Sequence, residues 1–105
     1  MGFFKSFGGG NEDSEIEVYL NDGAVVIDVR TIAEYEIGHV KGSENIVLQT
    51  LPTKVGKLKS LNKKIIAVCR TGSRSGQATL FLRQQGIDVI NGGSWENVAK
   101  FVEKQ

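Results

Sequence analysis

Two short apolar runs rich in β-branched residues constrain the fold of this chain more than any other feature. They are AVVIDVR at residues 24–30 and KIIAVC at residues 64–69. A strand with one solvated face alternates apolar and polar side chains, whereas a strand covered on both faces is apolar at nearly every position. Both runs therefore predict buried strands with helices packed on each side of a sheet.

Helical patterns lie between and after these runs. Thr31 and Glu34 have the spacing of a capping box, which predicts a short helix that Gly38 can end. Apolar residues at helical spacing predict a second helix that includes residues 51–58. A further helix is expected to follow the second run and to end at Gly86.

The remaining elements complete an alternating pattern. Residues 39–48 are expected to be irregular or to include a short strand at 46–48. A further strand is expected at 88–91, and Ser94 is placed to cap a last helix with Trp95 on its inner face. Strands that alternate with helices are typical of an α/β domain. The sequence thus predicts a small, mostly parallel sheet flanked by helices on both faces.

The N-terminal part is predicted to be a flexible lead-in, residues 1–13, followed by one domain at 14–105. Three consecutive glycines within the lead-in support this division. Ser14 and Glu17 have the spacing of a second capping box and predict a helix. The alternation of apolar residues over 16–20 is also compatible with a strand, so both interpretations stay open at this point.

Composition excludes several classes of function. The net charge is +1, so no bulk field attracts nucleic acid or an anionic membrane. No apolar run approaches the roughly 20 residues that span a bilayer. One cysteine and one histidine exclude an internal disulfide and a zinc site of the usual Cys/His kind. We expect a cytoplasmic protein without metal or cofactor, and a monomer is the simplest oligomeric state.

Charge is nonetheless unevenly distributed. Residues 12–17 are acidic, and residues 54–64 contain five lysines. A solvated helix face explains such a lysine-rich segment, and a docking surface for an acidic partner protein is the second interpretation.

The loop VCRTGSRSG, residues 68–76, contains the candidate reactive residue, Cys69. Cys69 ends a buried strand just before a helix, where unpaired N–H groups form a site for anions. Such a setting, with Arg70 and Arg74 nearby, lowers the pKa of a cysteine and makes the thiolate nucleophilic. An inert core cysteine is the alternative, but two arginines, a glycine and three hydroxyl residues surround this one. The loop therefore predicts a thiolate that attacks an anionic substrate.

Three segments make the chain resemble the single-domain rhodaneses, which are thiosulfate or persulfide sulfurtransferases. They are VIDVRTIAEYEIGHVKGSENI at 26–46, IIAVCRTGSRSGQATLFLRQQG at 65–86 and INGGSW at 90–95. Together they cover about residues 14–103 in consistent order. The resemblance implies a rhodanese-like α/β fold.

The resemblance also implies a mechanism and a set of site residues. Cys69 would be the catalytic residue and would carry a sulfane sulfur as a persulfide. The sulfur would come from a small anionic donor and pass to a thiol or cyanide acceptor. The substrate would be held by the loop residues Arg70, Thr71, Gly72, Ser73, Arg74 and Ser75. Asp28 and Arg30 are expected to support the site as a structural ion pair.

Two other functions compete with this one. A phosphatase or arsenate reductase of the tyrosine-phosphatase type has seven residues from Cys to Arg, whereas Cys69 to Arg74 spans six. This shorter loop favours sulfur transfer. The second alternative is a carrier without turnover, which hands persulfide to an acidic sulfur-relay protein docked on residues 54–64.

Three further residues are interpreted structurally. His39 is expected to be a hydrogen-bonded packing residue, because a thiolate activated by backbone dipoles needs no base. Trp95 is expected in the core. Lys41 stands where many rhodaneses have proline, which makes the conformation of that turn harder to predict.

Overall fold

The computed structural model describes residues 9–104. Within this part of the chain, four parallel strands form one sheet in the order β2-β1-β3-β4. The two apolar runs form its two central strands, as the sequence predicts. The strands are β1 (Val25–Asp28), β2 (Glu44–Asn45), β3 (Ile65–Cys69) and β4 (Val89–Ser94), and the helices are α1 (Gly9–Asn21), α2 (Ile32–Ile37), α3 (Val55–Leu61), α4 (Ser73–Gln84) and α5 (Trp95–Lys104).

Successive side chains of the central strands alternate between two apolar clusters. Ile65 and Ala67 point to one face, where Leu58 of α3 and Leu82 of α4 pack against them. The other cluster contains Ile66 and Val68 of β3 together with Ile16 of α1 and Val98 of α5. The sheet is thus covered on both faces, which confirms the predicted α/β architecture and explains why β3 is apolar throughout.

Helix α1 starts earlier than the sequence suggests. It begins at Gly9, so Ser14 lies inside the helix rather than at its cap, and the strand alternative for 16–20 is wrong. Ile16 is fully buried against the sheet, which explains why tertiary packing selects the helix here. Of the predicted lead-in, residues 1–8 lie outside the described residues and residues 9–13 belong to α1.

Helix α2 begins as predicted. The Thr31 hydroxyl accepts from the Glu34 N–H, and the Glu34 carboxylate accepts from the Thr31 N–H, which completes the capping box. Gly38 follows the helix in an extended conformation, so its role is not a left-handed turn. A Cβ at Gly38 would lie 3.0 Å from the Trp95 ring, so close packing requires glycine there.

The connection between β1 and β3 differs from the prediction. The second strand lies at Glu44–Asn45 rather than at 46–48, although the Ile46 N–H still donates to the Asp28 carbonyl at 2.9 Å. The single helix expected over 51–58 is divided into a 3-10 helix, Leu48–Lys54, and α3. Pro52 lies in the 3-10 part, because proline cannot donate the hydrogen bond that an α-helix interior needs.

Strand β4 is longer than predicted and irregular. It continues past 91 through the two glycines to Ser94, and its pairing with β3 shifts there by one residue. Asn91 pairs with Ala67 and Gly93 pairs with Val68, so Gly92 is the extra residue of a bulge. A Cβ at Gly92 would lie 2.6 Å from Ile66, which shows how tightly this bulge is packed.

No helix within residues 9–104 is both long enough and apolar enough to cross a membrane.

Candidate active site

Cys69 is the last residue of β3 and lies at the carboxyl edge of the parallel sheet, where α/β proteins usually bind ligands. Four residues later α4 begins at Ser73, after Gly72 with a positive φ of 101°. The glycine lets the chain turn tightly, and a Cβ at this position would lie 3.4 Å from the Gly93 Cα. The strand, the turn and the helix start therefore enclose the sulfur atom.

Several donors converge on the Cys69 Sγ. The Gly72 N–H lies 3.0 Å away, and the N–H and hydroxyl of Ser75 lie 3.4 Å and 3.3 Å away. Burial raises the pKa of the Cys69 thiol, but these donors, together with the Thr71 N–H, outweigh it and hold the pKa below its ordinary value. The structure thus surrounds a buried sulfur with donors that stabilise its thiolate form.

The two arginines of the loop are not among the largest influences on the pKa of Cys69. Arg70 is exposed, and Arg74 is held by Glu34 of α2 in a two-point contact of 2.8 and 3.0 Å. The lowered pKa of Cys69 comes from hydrogen bonds with Ser75, Gly72 and Thr71 rather than from a guanidinium in contact with sulfur. The role of Arg70 and Arg74 in holding the substrate stays a prediction.

Glu34 connects the loop with the start of α2. Its carboxylate accepts from Arg74 and from both the N–H and the hydroxyl of Thr31. The hydrogen bond from Arg74 is the largest of the effects that lower the pKa of Glu34 to about 2. The same contact raises the pKa of Arg74. Sequence reasoning identifies Glu34 only as a cap, because its partner is 40 residues away.

The expected ion pair between Asp28 and Arg30 is present at the end of β1. Both side chains are buried, with Arg30 Nη2 2.7 Å from Asp28 Oδ2 and Arg30 Nε 2.9 Å from Oδ1. Arg30 also donates to the Gly38 carbonyl at 2.6 Å and lies 5.0 Å from the centre of the Trp95 ring. The pair thereby connects β1, the end of α2 and the start of α5.

His39 and its neighbours form the turn after α2. His39 Nδ1 donates to the Tyr35 carbonyl at 2.7 Å, and the two rings stack at 3.8 Å. This is the hydrogen-bonded packing role expected from the sequence. Lys41 is exposed in a turn closed by a hydrogen bond from the Ser43 N–H to the Val40 carbonyl. Trp95 is partly buried against the core cluster on the α1 and α5 side.

Asn91 of β4 is a site residue that sequence reasoning does not identify. Its Oδ1 accepts from the Ser75 hydroxyl at 2.7 Å and from the Gly93 N–H at 2.9 Å, and its Nδ2 donates to the Gly72 carbonyl at 3.1 Å. The signal that could have found it is a polar residue inside an apolar strand, directly before two glycines.

An open groove borders the loop on the α5 side. Its lining is polar and includes Thr71, Gly93, Ser94, Glu96, Asn97 and Lys100.

The fold and the site together define a class: a small α/β protein with a parallel sheet and one hydrogen-bonded cysteine in a strand-to-helix loop. Comparison with known proteins agrees. The model of the Rhodanese-like domain matches residues 13–100, and this chain belongs to that family.

Individual relatives support the same assignment. The chain is 32% identical over 100 residues to the tRNA uridine(34) hydroxylase of Cronobacter sakazakii, a match that covers 87% of this chain and 29% of that protein. The chain thus spans less than a third of this relative.

Solved structures agree with the fold. A rhodanese-related protein from Thermoplasma volcanium superposes with a TM-score of 0.67 at 28% identity, covering 88% of each chain. A rhodanese with anions from E. coli gives a TM-score of 0.66 at 31% identity, covering 72% of this chain and 92% of that one.

Proposed function

We propose that this protein transfers a sulfane sulfur from a small anionic or persulfide donor to a thiophilic acceptor through a persulfide on Cys69. The observation that carries the proposal is the set of hydrogen bonds that Cys69 Sγ receives from Gly72, within the six-residue loop that ends at Arg74, and from Ser75 directly after it. Membership of the rhodanese-like family supports it.

The first step uses the thiolate as nucleophile. Cys69 Sγ attacks the outer sulfur of thiosulfate, the S–S bond of thiosulfate breaks, and sulfite leaves with the bonding electrons. The product is a Cys69 persulfide whose terminal sulfur is anionic. We expect the N–H groups that stabilise the thiolate to stabilise this charge as well, because N–H groups at a strand-to-helix loop point inward.

The second step regenerates the thiolate. Cyanide or a thiolate attacks the terminal sulfur, the persulfide S–S bond breaks, and Cys69 leaves as the thiolate. The donors around Sγ lower the free energy of this leaving group, since a thiol of lower pKa leaves faster. One cysteine is sufficient for the cycle, and the chain has one. A lone thiol also suits the reducing cytoplasm that we expect for this protein.

Intact mass tests the proposal directly. After incubation with thiosulfate, the protein is expected to gain the mass of one sulfur atom and to lose it on addition of cyanide, with release of thiocyanate. Cys69→Ser is expected to gain nothing. If neither thiosulfate nor a persulfide donor such as glutathione persulfide adds sulfur to the wild-type protein, the proposal is wrong, and hydrolysis of a phosphotyrosine analogue is the next activity to test.

Turnover distinguishes an enzyme from a carrier. An enzyme releases many thiocyanate molecules per protein, whereas a carrier loads sulfur once and discharges it slowly to small acceptors.

The carrier alternative uses the lysine-rich segment, residues 54–64, as a docking surface. This segment ends at Lys63 and Lys64, just before β3. Lys64 is five residues before Cys69, so at about 3.3 Å per residue of extended strand it lies roughly 16 Å from Cys69. Lys57 and Lys64 already pair with Glu44 and Asp22.

A further inference from the structure

We propose that Asn91 is a positioning residue that competes with the Cys69 thiolate for the single hydroxyl proton of Ser75. The Ser75 Oγ lies 2.7 Å from Asn91 Oδ1 and 3.3 Å from Cys69 Sγ. A serine hydroxyl has one proton and can donate it to one of these two acceptors at a time. Asn91 thereby sets how strongly the site favours the thiolate.

The orientation of the Asn91 amide is determined by its other partners. The Gly93 N–H needs an acceptor and lies 2.9 Å from Oδ1, while the Gly72 carbonyl needs a donor and lies 3.1 Å from Nδ2. Rotating the amide by half a turn would place Nδ2 against the Gly93 N–H, where two donors face each other. It would also place Oδ1 against the Gly72 carbonyl, where two acceptors face each other. An amide oxygen accepts only, so the Ser75 hydroxyl must be the donor in its contact with Asn91.

The protonated thiol satisfies every group in this network. Cys69 S–H can donate to the Ser75 oxygen, and the Ser75 hydroxyl then donates to Asn91 Oδ1. When the thiol loses its proton to solvent, the Ser75 proton has two acceptors, the amide oxygen and the anionic sulfur. Asn91 therefore stabilises the thiol form and withholds a donor from the thiolate.

The packing around Asn91 supports a specific placement. Gly76 of α4 lies directly beside the amide, and a Cβ there would be 3.3 Å from Nδ2. The backbone of Gly76 continues α4 by donating to the Gly72 carbonyl, the same oxygen that Asn91 contacts. The amide therefore holds β4, the turn and the start of α4 in one arrangement.

Two interpretations of Asn91 predict opposite signs. If Asn91 only braces the turn, its removal loosens the donors around Sγ and raises the pKa of Cys69. If it competes for the Ser75 proton, its removal frees the hydroxyl for the sulfur and lowers that pKa. The sign of one measured shift distinguishes the two.

The experiment titrates the thiolate by its ultraviolet absorbance in wild-type protein, Asn91→Ala, Ser75→Ala and the double variant. We expect Asn91→Ala to lower the pKa of Cys69 by about one unit, a tenfold change in the ionisation constant, and to have no effect in the Ser75→Ala background. Asn91→Asp keeps the competing acceptor and should not lower the pKa. Asn97→Ala on α5, whose side chain contacts Asp13, is the matched control.

A raised or unchanged pKa in Asn91→Ala, or a lowered one that persists without the Ser75 hydroxyl, would overturn the inference. A lowered pKa in Asn91→Asp would do the same. Circular dichroism checks that each variant folds. The inference rests on the proposed function only in taking Cys69 as the nucleophile. The thiol titration needs no sulfur donor. The inference about Asn91 and the proposal of sulfur transfer can therefore be contradicted separately.

Discussion

Glu34 shows how one side chain can serve both local structure and the site. As the third residue of α2 it completes the capping box with Thr31, and across the molecule it holds Arg74 at two points. The guanidinium that is predicted to bind an anionic donor is therefore already paired with a carboxylate. If Arg74 binds the donor as predicted, the incoming anion would share or displace that contact.

We expect Glu34→Gln to strengthen the binding of thiosulfate. The Glu34 and Arg74 side chains are 30% and 32% exposed, so the pair contributes roughly 0.2–1 kcal/mol, and its loss should lower the KM for thiosulfate by up to about fivefold. Steady-state thiocyanate formation measures this. Glu36→Gln, an exposed position on the same helix, is the control and should leave KM unchanged. An unchanged KM in Glu34→Gln would show that Arg74 does not bind the donor.

Ser75→Ala is expected to raise the pKa of Cys69. The variant removes the side-chain hydrogen bond to sulfur but keeps the Ser75 N–H. A hydrogen bond to a charged group contributes about 1.5–3 kcal/mol, which corresponds to an upper limit of roughly one to two pKa units when the donor is shared with Asn91. Thiolate absorbance against pH measures the shift. A fall in the pKa would contradict the hydrogen-bond account of this site.

The sequence identifies the centre of the site but not its surroundings. Cys69 is recognisable because a strand pattern ends at it and a helix pattern begins after it, so local information is sufficient. The contacts of Glu34 with Arg74 and of Asn91 with Ser75 join residues 40 and 16 positions apart. Such pairs depend on how the elements pack, which no local pattern specifies.

Among the elements, prediction succeeds where one pattern dominates. The continuous apolar runs of β1 and β3 and the capping box of α2 are found as expected. The errors fall where two preferences conflict. Glycines predict the end of a strand, yet β4 passes through two of them as a bulge, because close packing against Ile66 and Val98 needs a residue without a side chain.

Gly92→Ala is expected to destabilise the protein by about 1–3 kcal/mol through overpacking. Its Cβ would lie 2.6 Å from Ile66 Cγ2 and 2.8 Å from Val98 Cγ2, and both side chains are fully buried and cannot move aside. Chemical denaturation measures the change. Gly56→Ala in α3 is the matched control, because nothing lies within 4 Å of its Cβ, and it should stabilise the helix by up to about 1 kcal/mol. Equal effects of the two substitutions would contradict the packing argument.

For the whole molecule, the sheet order brings the functional residues together. Because β1 and β3 are parallel neighbours, their carboxyl ends place the Asp28–Arg30 pair and Cys69 at the same edge. Helices α2 and α4 start from that edge, and the Glu34–Arg74 contact joins their first turns. Ion pairs and helix starts thus hold the loop at that edge.

The Glu34–Arg74 contact also predicts how stability depends on acid. The pKa of Glu34 is lowered from 4.5 to about 2, so the folded state binds this proton less readily than the unfolded state. The contribution is fully present above about pH 4.5 and is lost as the pH falls towards 2. Unfolding free energies measured across this interval should converge between wild type and Glu34→Gln. A constant difference between the unfolding free energies of the two proteins across this pH interval would show that folding does not stabilise the Glu34 carboxylate.

The burial of Cys69 has a steric consequence. In the resting protein the residue is 1% exposed, so a bulky electrophile has little access to it. A sulfur–sulfur bond is about 2 Å long, so in the proposed cycle the reactive atom of the loaded protein would lie that distance from Cys69 Sγ. An approaching thiol would then meet this outer sulfur, while the cysteine itself stays shielded. Sulfur uptake would convert a protected nucleophile into an accessible electrophile, and the depth of the loop would select small donors at the first step while admitting larger acceptors at the second.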